Sequence, residues 1–525
     1  MNFLNVCPMV LGKVVLVLCA LLASLPRASA QTEHPDKKAH PNSPVFKNYQ
    51  PPTTAPLLEQ SDVTYQMWQG FRLLQEANAG NPVSQFELSI RYLTGRGFKA
   101  DTQKAAYWTK RASDQNHLLA RYNLAIFEFN GWGVEWNPFD AYRDFRFVAE
   151  RKIPEAQYVL AQFLTENLVV PRNWNEAYRW VKLAADSGYG PAKEALKELE
   201  KRGYGGDTVR SSHQATEHSL ASSGTLQLTF LNFSQDTTAA PSDSVLLDDA
   251  LKAALLARNR EVEKMFGAAT VNAERFELDS LAVAQLKNAA EAGSPEALTL
   301  LARCYHKGIS VPKDPLLAAM TYIRAIRFDS PRGGRLLFEL VHEKEFFDIL
   351  RQRAGRNDGD AMYVWACLVA LGFDRQLTDA QALQMLERAA ASRHVQSMVE
   401  LGLCYYAGRW VKRSVSTAEQ LWRQAAAAGS DEARVRLAIL NIREKKNEHR
   451  AAVAVLQEAA REGSVLAEFA LAYCYETGTG VAVDKGEAAR LYRSSGQRGS
   501  QDAYRALLRM HDAIRPRGEE FRIPD

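Results

Sequence analysis

The stretch that decides the fold is Ala177-Tyr178-Arg179-Trp180, which is followed by the small pair Ala184-Ala185 and then by Gly188. The same order of small and large residues recurs along the 525-residue chain. The first alanines of the copies are mostly 34 to 36 residues apart, at Ala105, Ala141, Ala177, Ala282, Ala318, Ala382, Ala418, Ala452 and Ala488. A fixed period in this range is typical of helical hairpins that stack into a solenoid. The sequence therefore predicts an all-α fold, an α-solenoid of stacked antiparallel helical hairpins.

The spacing of the copies divides the chain into segments. We predict a first repeat block over 61–202 and a second over 245–515, with a polar linker over 203–244 and a tail over 516–525. The linker is rich in Gly, Ser, Thr and Gln, apart from 226–231, which alternates like a short strand and could dock on either block. Within the blocks, glycine pairs such as Gly95-Arg96-Gly97 and Gly131-Trp132-Gly133 mark the turns, because glycine tolerates positive φ.

The first 60 residues differ from the rest of the chain. Val14 to Leu25 is apolar and follows Lys13, and the small residues Ala28 and Ala30 come after it, as in a secretory signal peptide. We therefore predict cleavage after Ala30, a disordered, proline-rich leader over 31–60, and a periplasmic or secreted protein with no membrane insertion after cleavage. The sequon Asn232-Phe233-Ser234 leaves the endoplasmic reticulum as an alternative compartment.

Composition narrows the choice of partner. The formal net charge is +4, without a concentrated run of Lys and Arg, which argues against a nucleic-acid partner. Four cysteines follow the signal peptide, and three of them (Cys304, Cys404 and Cys474) share one repeat position. Equivalent positions in neighbouring hairpins lie about 10 Å apart, too far for a disulfide, so we expect buried thiols.

The repeat pattern resembles that of the Sel-like repeat (SLR) family, a relative of the tetratricopeptide repeat. The best copy starts at Ala467 and continues through Leu471, Tyr475, Gly478, Gly480, Val481, Asp484, Ala488, Tyr492 and Gly499. A second good copy starts at Ser397 and includes Leu401-Gly402 and Leu421-Trp422. The resemblance implies an interaction scaffold, since proteins of this family generally assemble complexes rather than catalyse reactions.

Large aromatic residues are the candidates for partner binding. Phe86, Tyr122 and Tyr158 are 36 apart, and Phe469 shares their repeat position. They form either a stacking surface for an extended peptide or sugar, or part of the packing between helices. Trp132 and Trp136 lie in a predicted turn, where they either mark a contact patch or pack against a neighbouring hairpin.

Searches for catalytic, cofactor and metal sites yield no candidate. Ser310-Val311-Pro312-Lys313 matches the Ser-x-x-Lys motif of penicillin-binding enzymes, but it falls in a predicted turn without the companion motifs. His213 and His218 in the linker are too sparse for a metal site. We therefore predict an exported, noncatalytic scaffold or adaptor that binds a protein or peptide partner, with no cofactor. The first alternative is a carbohydrate-binding or peptidoglycan-binding envelope protein, and a β-lactam-type hydrolase is a more distant one.

Overall fold

The computed structural model describes residues 70–201, Tyr204, 280–330, 332–374, 376–444 and 448–523. The predicted signal peptide, the predicted leader and nearly all of the predicted linker, with its strand-like segment and both histidines, lie outside the described residues. The domain boundaries therefore stay a prediction. The described residues form 22 α-helices and one 3-10 helix, without a strand, and the prediction of an all-α fold is confirmed.

The chain divides into two compact units. Among the described residues, the first unit comprises 70–127, 140–165 and 172–201, and the second takes 128–139, 166–171 and everything from Ser280 onward. The first eight helices are α1 Gly70–Asn78, α2 Pro82–Thr94, α3 Thr102–Asp114, α4 Leu118–Asn130, α5 Pro138–Ala149, α6 Pro154–Glu166, α7 Trp174–Asp186 and α8 Gly190–Lys201.

The remaining helices belong to the second unit. They are α9 Ser280–Glu291, α10 Pro295–Lys307, α11 Pro315–Arg327, α12 Gly333–Val341, α13 Phe346–Gly355, α14 Gly359–Ala370, α15 Asp379–Ala391, α16 Val395–Ala407, α17 Val415–Ala427, α18 Asp431–Glu444, α19 His449–Arg461, α20 Val465–Thr477, α21 Lys485–Gln497 and α22 Gln501–Asp512, with the 3-10 helix Glu519–Phe521 after them. The least regular stretch of sequence, 331–360, contains the short pair α12 and α13. Of the described helices, none is long and apolar enough to cross a membrane.

Local sequence explains where the hairpin helices begin and end. Asp314 and Asp484 are N-caps whose carboxylates accept hydrogen bonds from backbone N–H groups of the first turn of the following helix. Gly408 and Gly478 end the first helices of their hairpins in the left-handed conformation. These caps recur in several hairpins, so the repeats that have them encode their own helix boundaries.

The position of the second glycine in the turn is occupied by another residue in some hairpins. Gly97 and Gly480 have φ values of 74° and 75°, as the sequence pattern predicts. At the same place in the turn, Ser310 and Trp410 adopt φ values of 58° and 61°. A bulky side chain is rare in this left-handed region because its Cβ crowds the backbone. Trp410 is therefore an unusual occupant of the position.

The second unit curves so strongly that its first hairpin meets its last ones. The backbone N–H of Val465 donates to the carbonyl of Ala292 at 3.0 Å. The hydroxyl of Ser294 donates to the carbonyl of Arg498, also at 3.0 Å, across 204 residues of sequence. The turn that follows α9 thus contacts both the start of α20 and the end of α21.

Candidate functional site

The three aromatic residues spaced by 36 lie inside the first unit rather than on a surface. Phe86 and Tyr122 are fully buried, and Tyr158 is 7% exposed. The Phe86 ring packs on His117 at 4.7 Å between centroids, and the Tyr122 ring meets Phe145 edge-on at 5.4 Å. Burial raises the pKa of both the Tyr122 and the Tyr158 hydroxyl. Their environment supports the packing interpretation.

The other three candidates lie in the second unit. Trp136 is 5% exposed, and its ring meets that of His511 edge-on at 5.2 Å. Trp132 is half-buried, as is Phe469, whose ring lies 5.8 Å from that of Tyr492. Since no bound partner is present, a role of these six residues in partner binding stays a prediction.

The first helices in the middle of the second unit are buried on every side. Each residue of α14 from Ala361 to Val369 is buried, and so is each residue of α16 from Ser397 to Cys404. A helix that lines an open groove would leave one face in water. The surface that a partner can reach in this region therefore lies at the hairpin turns and on the outer faces of the helices.

A network of buried charges fills this region instead of a groove. The guanidinium of Arg327, at the end of α11, donates to Glu400 at 2.8 Å and to Glu432 at 2.6 Å. The same guanidinium donates to the hydroxyl of Tyr363 at 3.0 Å and to the side-chain oxygen of Gln396 at 2.8 Å. The side chains of Arg327, Glu400 and Glu432 are 3%, 4% and 7% exposed. Arg327 therefore joins α11 to α14, α16 and α18.

The electrostatics of this network favour the ionised forms. Burial on its own would raise the pKa of Glu432, but Arg327, Arg436 and Arg324 lower it to about 2. Burial lowers the pKa of Arg324, whereas the pKa of Arg327 is raised because two carboxylates and Tyr363 outweigh its burial. This charge cluster holds the four helices together. It could not be predicted from a sequence pattern, because its members are up to 105 residues apart.

A second polar cluster lies at the turn between α12 and α13. Glu343 accepts from Lys307 at 3.2 Å and from Lys313 at 3.3 Å, and it pairs with the buried ring of His306 at 2.7 Å. Burial on its own would raise the pKa of Glu343, but His306, Lys307 and Lys313 lower it to about 2. The ammonium of Lys313, the lysine of the Ser-x-x-Lys match, is thus engaged by a carboxylate. Ser310 stands in the left-handed turn.

The cysteines behave as the sequence predicts. Cys304, Cys367, Cys404 and Cys474 are free and buried, and burial raises the pKa of Cys304 and of Cys474 to about 12. In the part of the chain that the structure describes, His, Cys, Asp and Glu form no group of three or more that could hold a metal ion.

Comparison with known proteins agrees with the architecture. Six stretches match the family model called Sel1 repeat: 82–117, 118–143, 154–189, 295–327, 395–430 and 465–500. The chain therefore contains Sel1 repeats over these six stretches, as its resemblance to the Sel-like family implied.

Individual relatives are distant. An uncharacterized protein of Neisseria meningitidis serogroup B is 24% identical over 376 residues, which are 64% of this chain and 79% of that protein. Among solved structures, a protective antigen of uropathogenic Escherichia coli with an SLR fold is 20% identical, with a TM-score of 0.30 and coverage of 84% of this chain and 82% of that one. A Sel1 repeat protein from Oxalobacter formigenes is 18% identical, with a TM-score of 0.22 and coverage of 93% and 99%.

Proposed function

We propose that this chain is an exported, noncatalytic scaffold that binds a protein partner. The observation that carries the proposal is the set of six Sel1 repeats, each of which covers helices of an α-hairpin array. Arrays of this type present a long, rigid surface to a partner, which suits assembly rather than chemistry. The titratable groups described above support the same proposal, since Glu343, Glu400 and Glu432 are engaged in ion pairs that hold hairpins together.

Export and location belong to the same proposal. The apolar stretch Val14 to Leu25 with Ala28 and Ala30 supports a cleaved signal peptide. A relative in Neisseria meningitidis supports a bacterial protein, and we propose the bacterial cell envelope or the exterior as its location. The glycan alternative relied on stacking by exposed rings, and the burial of Tyr122, Tyr158 and Trp136 gives it no support.

The test is to capture the partner in place. The full chain, tagged at its C-terminus and produced in its native cell, would be cross-linked in the envelope, purified under denaturing conditions, and analysed by mass spectrometry. Recovery of one protein at near one-to-one stoichiometry is the expected result. A chain that retains its first 30 residues would contradict the export step, and recovery of glycan alone would contradict a protein partner.

A further inference from the structure

We infer that an aromatic and basic surface at the hairpin turns of the second unit binds an acidic peptide segment of the partner. We call this surface the turn strip and define it as Phe338, Phe373, Arg409, Trp410, Lys412 and Arg413. None of these residues was among the candidates from the sequence. The inference rests on the proposed function, and it adds the location of the site and the chemistry of the ligand.

The apolar part of the turn strip is exposed and contiguous. The side chain of Phe338 is 48% exposed, one of few large apolar side chains so open to water among the described residues. Its ring lies 5.6 Å from the half-buried ring of Phe373, edge-on. Two adjacent aromatic rings at a surface supply apolar area at a small cost in side-chain entropy, as binding surfaces require.

Arg409 connects this part to the basic part. Its guanidinium donates to the carbonyl of Ala370 at 2.6 Å, three residues before Phe373 in the chain. The same guanidinium lies 5.6 Å from the ring centre of Trp410. Arg409 therefore joins the segment that leads to Phe373 to the turn 408–414, although Phe338 and Trp410 are 72 residues apart.

The backbone of Trp410 is strained, and the indole N–H of this residue is available as a hydrogen-bond donor. Trp410 adopts a φ of 61° at a place where the turns with Gly97 and Gly480 have glycine and one other turn has the small residue Ser310. Strain of this kind persists where the surroundings impose it, and it is concentrated at functional sites. Among the described residues, none accepts a hydrogen bond from the indole N–H of Trp410, and the side chain is half-buried. The indole is thus an available donor beside a cationic surface.

The charges next to Trp410 determine the chemistry of the ligand. Lys412 is exposed and has no ion pair with any described residue. Arg413 donates from Nε to the carbonyl of Tyr406 at 3.1 Å and lies 5.6 Å from the Tyr406 ring centre. Its ion pair with Glu444 is long, at 3.4 Å, and exposed. An exposed ion pair of that length contributes little, so both cations can pair with incoming carboxylates. The turn strip is therefore complementary to a segment with acidic and large apolar side chains.

The same observations disfavour other polyanions. The affinity of a nucleic acid depends on many phosphate contacts, whereas this surface offers three cations around one tryptophan. The chain as a whole is close to neutral, with a net charge of +4. We therefore assign the turn strip to a peptide.

The experiment selects peptides on the full mature chain from a random 12-residue phage-displayed library. We expect enriched sequences with net negative charge and Leu, Phe or Trp. The best peptide, labelled with fluorescein, should bind the double variant Trp410→Gly/Lys412→Glu at least about tenfold more weakly, as fluorescence anisotropy measures. Trp410→Gly relieves the strained φ, so this variant should fold, which circular dichroism checks.

The matched control is Val483→Ala/Lys485→Glu, which removes an exposed apolar side chain and reverses one charge at another turn of the same unit. It should bind the peptide like the wild type. The inference would be overturned if the Trp410 variant bound the peptide with the affinity of the wild type. It would also be overturned if the selection enriched neutral or basic peptides or none at all, or if single-stranded DNA or phosphatidylglycerol vesicles displaced the peptide. If the Trp410 variant still cross-links to a protein partner, the proposed scaffold function stands and only the turn strip is rejected as the binding site.

Discussion

The guanidinium of Arg327 donates a 2.6 Å hydrogen bond to the carboxylate of Glu432, although 105 residues separate them in the sequence. Glu400 on α16 and Tyr363 on α14 bind the same guanidinium, so Arg327 joins four helices of the second unit. A buried ion pair is weak evidence for stability by itself, but removal of one partner leaves a buried charge uncompensated. The second unit therefore depends on Arg327 for its integrity.

The first prediction concerns Arg327→Ala. Because Glu400 and Glu432 would lose their shared partner in the interior, the free energy of unfolding should fall by about 3–5 kcal/mol. Denaturation in urea, followed by circular dichroism, measures this. Arg423→Ala is the control, since Arg423 forms an exposed helical pair with Glu419 and its loss should cost about 0.5 kcal/mol or less. Equal effects of the two substitutions would refute the importance of the network.

The second prediction concerns acid. The pKa of Glu432 in the folded protein is about 2, below the ordinary value of 4.5. The unfolded state therefore binds more protons between these values, so the contribution of Glu432 to stability is complete above pH 4.5 and is lost as the pH falls towards 2. The free energy of unfolding of Glu432→Gln should change less over that window than that of the wild type. Parallel pH profiles would show that Glu432 is not ionised in the fold.

The third prediction concerns His511, which is fully buried and whose Nδ1 hydrogen-bonds to the carbonyl of Leu507 at 2.7 Å. Burial lowers the pKa of this histidine from 6.5 to about 3. The folded state favours the neutral ring, so stability is complete above pH 6.5 and decreases as the pH falls below it. His511→Leu should remove that part of the pH dependence between pH 6.5 and 4 in thermal unfolding. The exposed His342 offers the control, because His342→Leu should preserve the wild-type profile.

The fourth prediction concerns the glycine of the Leu401-Gly402 pair. A methyl group at Gly402 would come within 2.7 Å of Cδ1 of Trp422, a fully buried side chain whose indole donates to the carbonyl of Val399. Gly402→Ala should therefore lower the free energy of unfolding by about 1–3 kcal/mol through overpacking. Gly355→Ala, in a helix with no atom within 4 Å of the new methyl, should be neutral or stabilising. A neutral Gly402→Ala would mean that the interior can relax around Trp422.

The fifth prediction concerns the thiols. Since burial raises the pKa of Cys304 and of Cys474 to about 12, almost no thiolate exists at pH 8 in the folded protein. Iodoacetamide should label neither residue in the native state and should label both in guanidinium chloride, as peptide mass spectrometry detects. Rapid native labelling of Cys474 would indicate that α20 opens locally.

Part of the candidate site could have been found from the sequence. Tryptophan at position 410, where the turn pattern has its second glycine, is a visible departure from the repeat, and it marks the turn strip. That Phe338 lies beside Phe373 could not be predicted from the sequence, because it depends on how the short pair α12 and α13 packs beside α14. The sequence placed Phe86, Tyr122 and Tyr158 at equivalent helical positions, but it left open whether that face was covered.

The amino-acid sequence by itself determined the helices, their N-caps, the glycine turns and the period of the array, because these depend on residues within one hairpin. Only the tertiary structure decided which faces are buried and which distant residues meet. The contact of Ala292 with Val465 and the pairing of Arg327 with Glu432 arise from the angle between successive hairpins, summed over several repeats. That sum is set by packing at each interface, so a small local difference becomes a large displacement several helices later, and no local pattern encodes it.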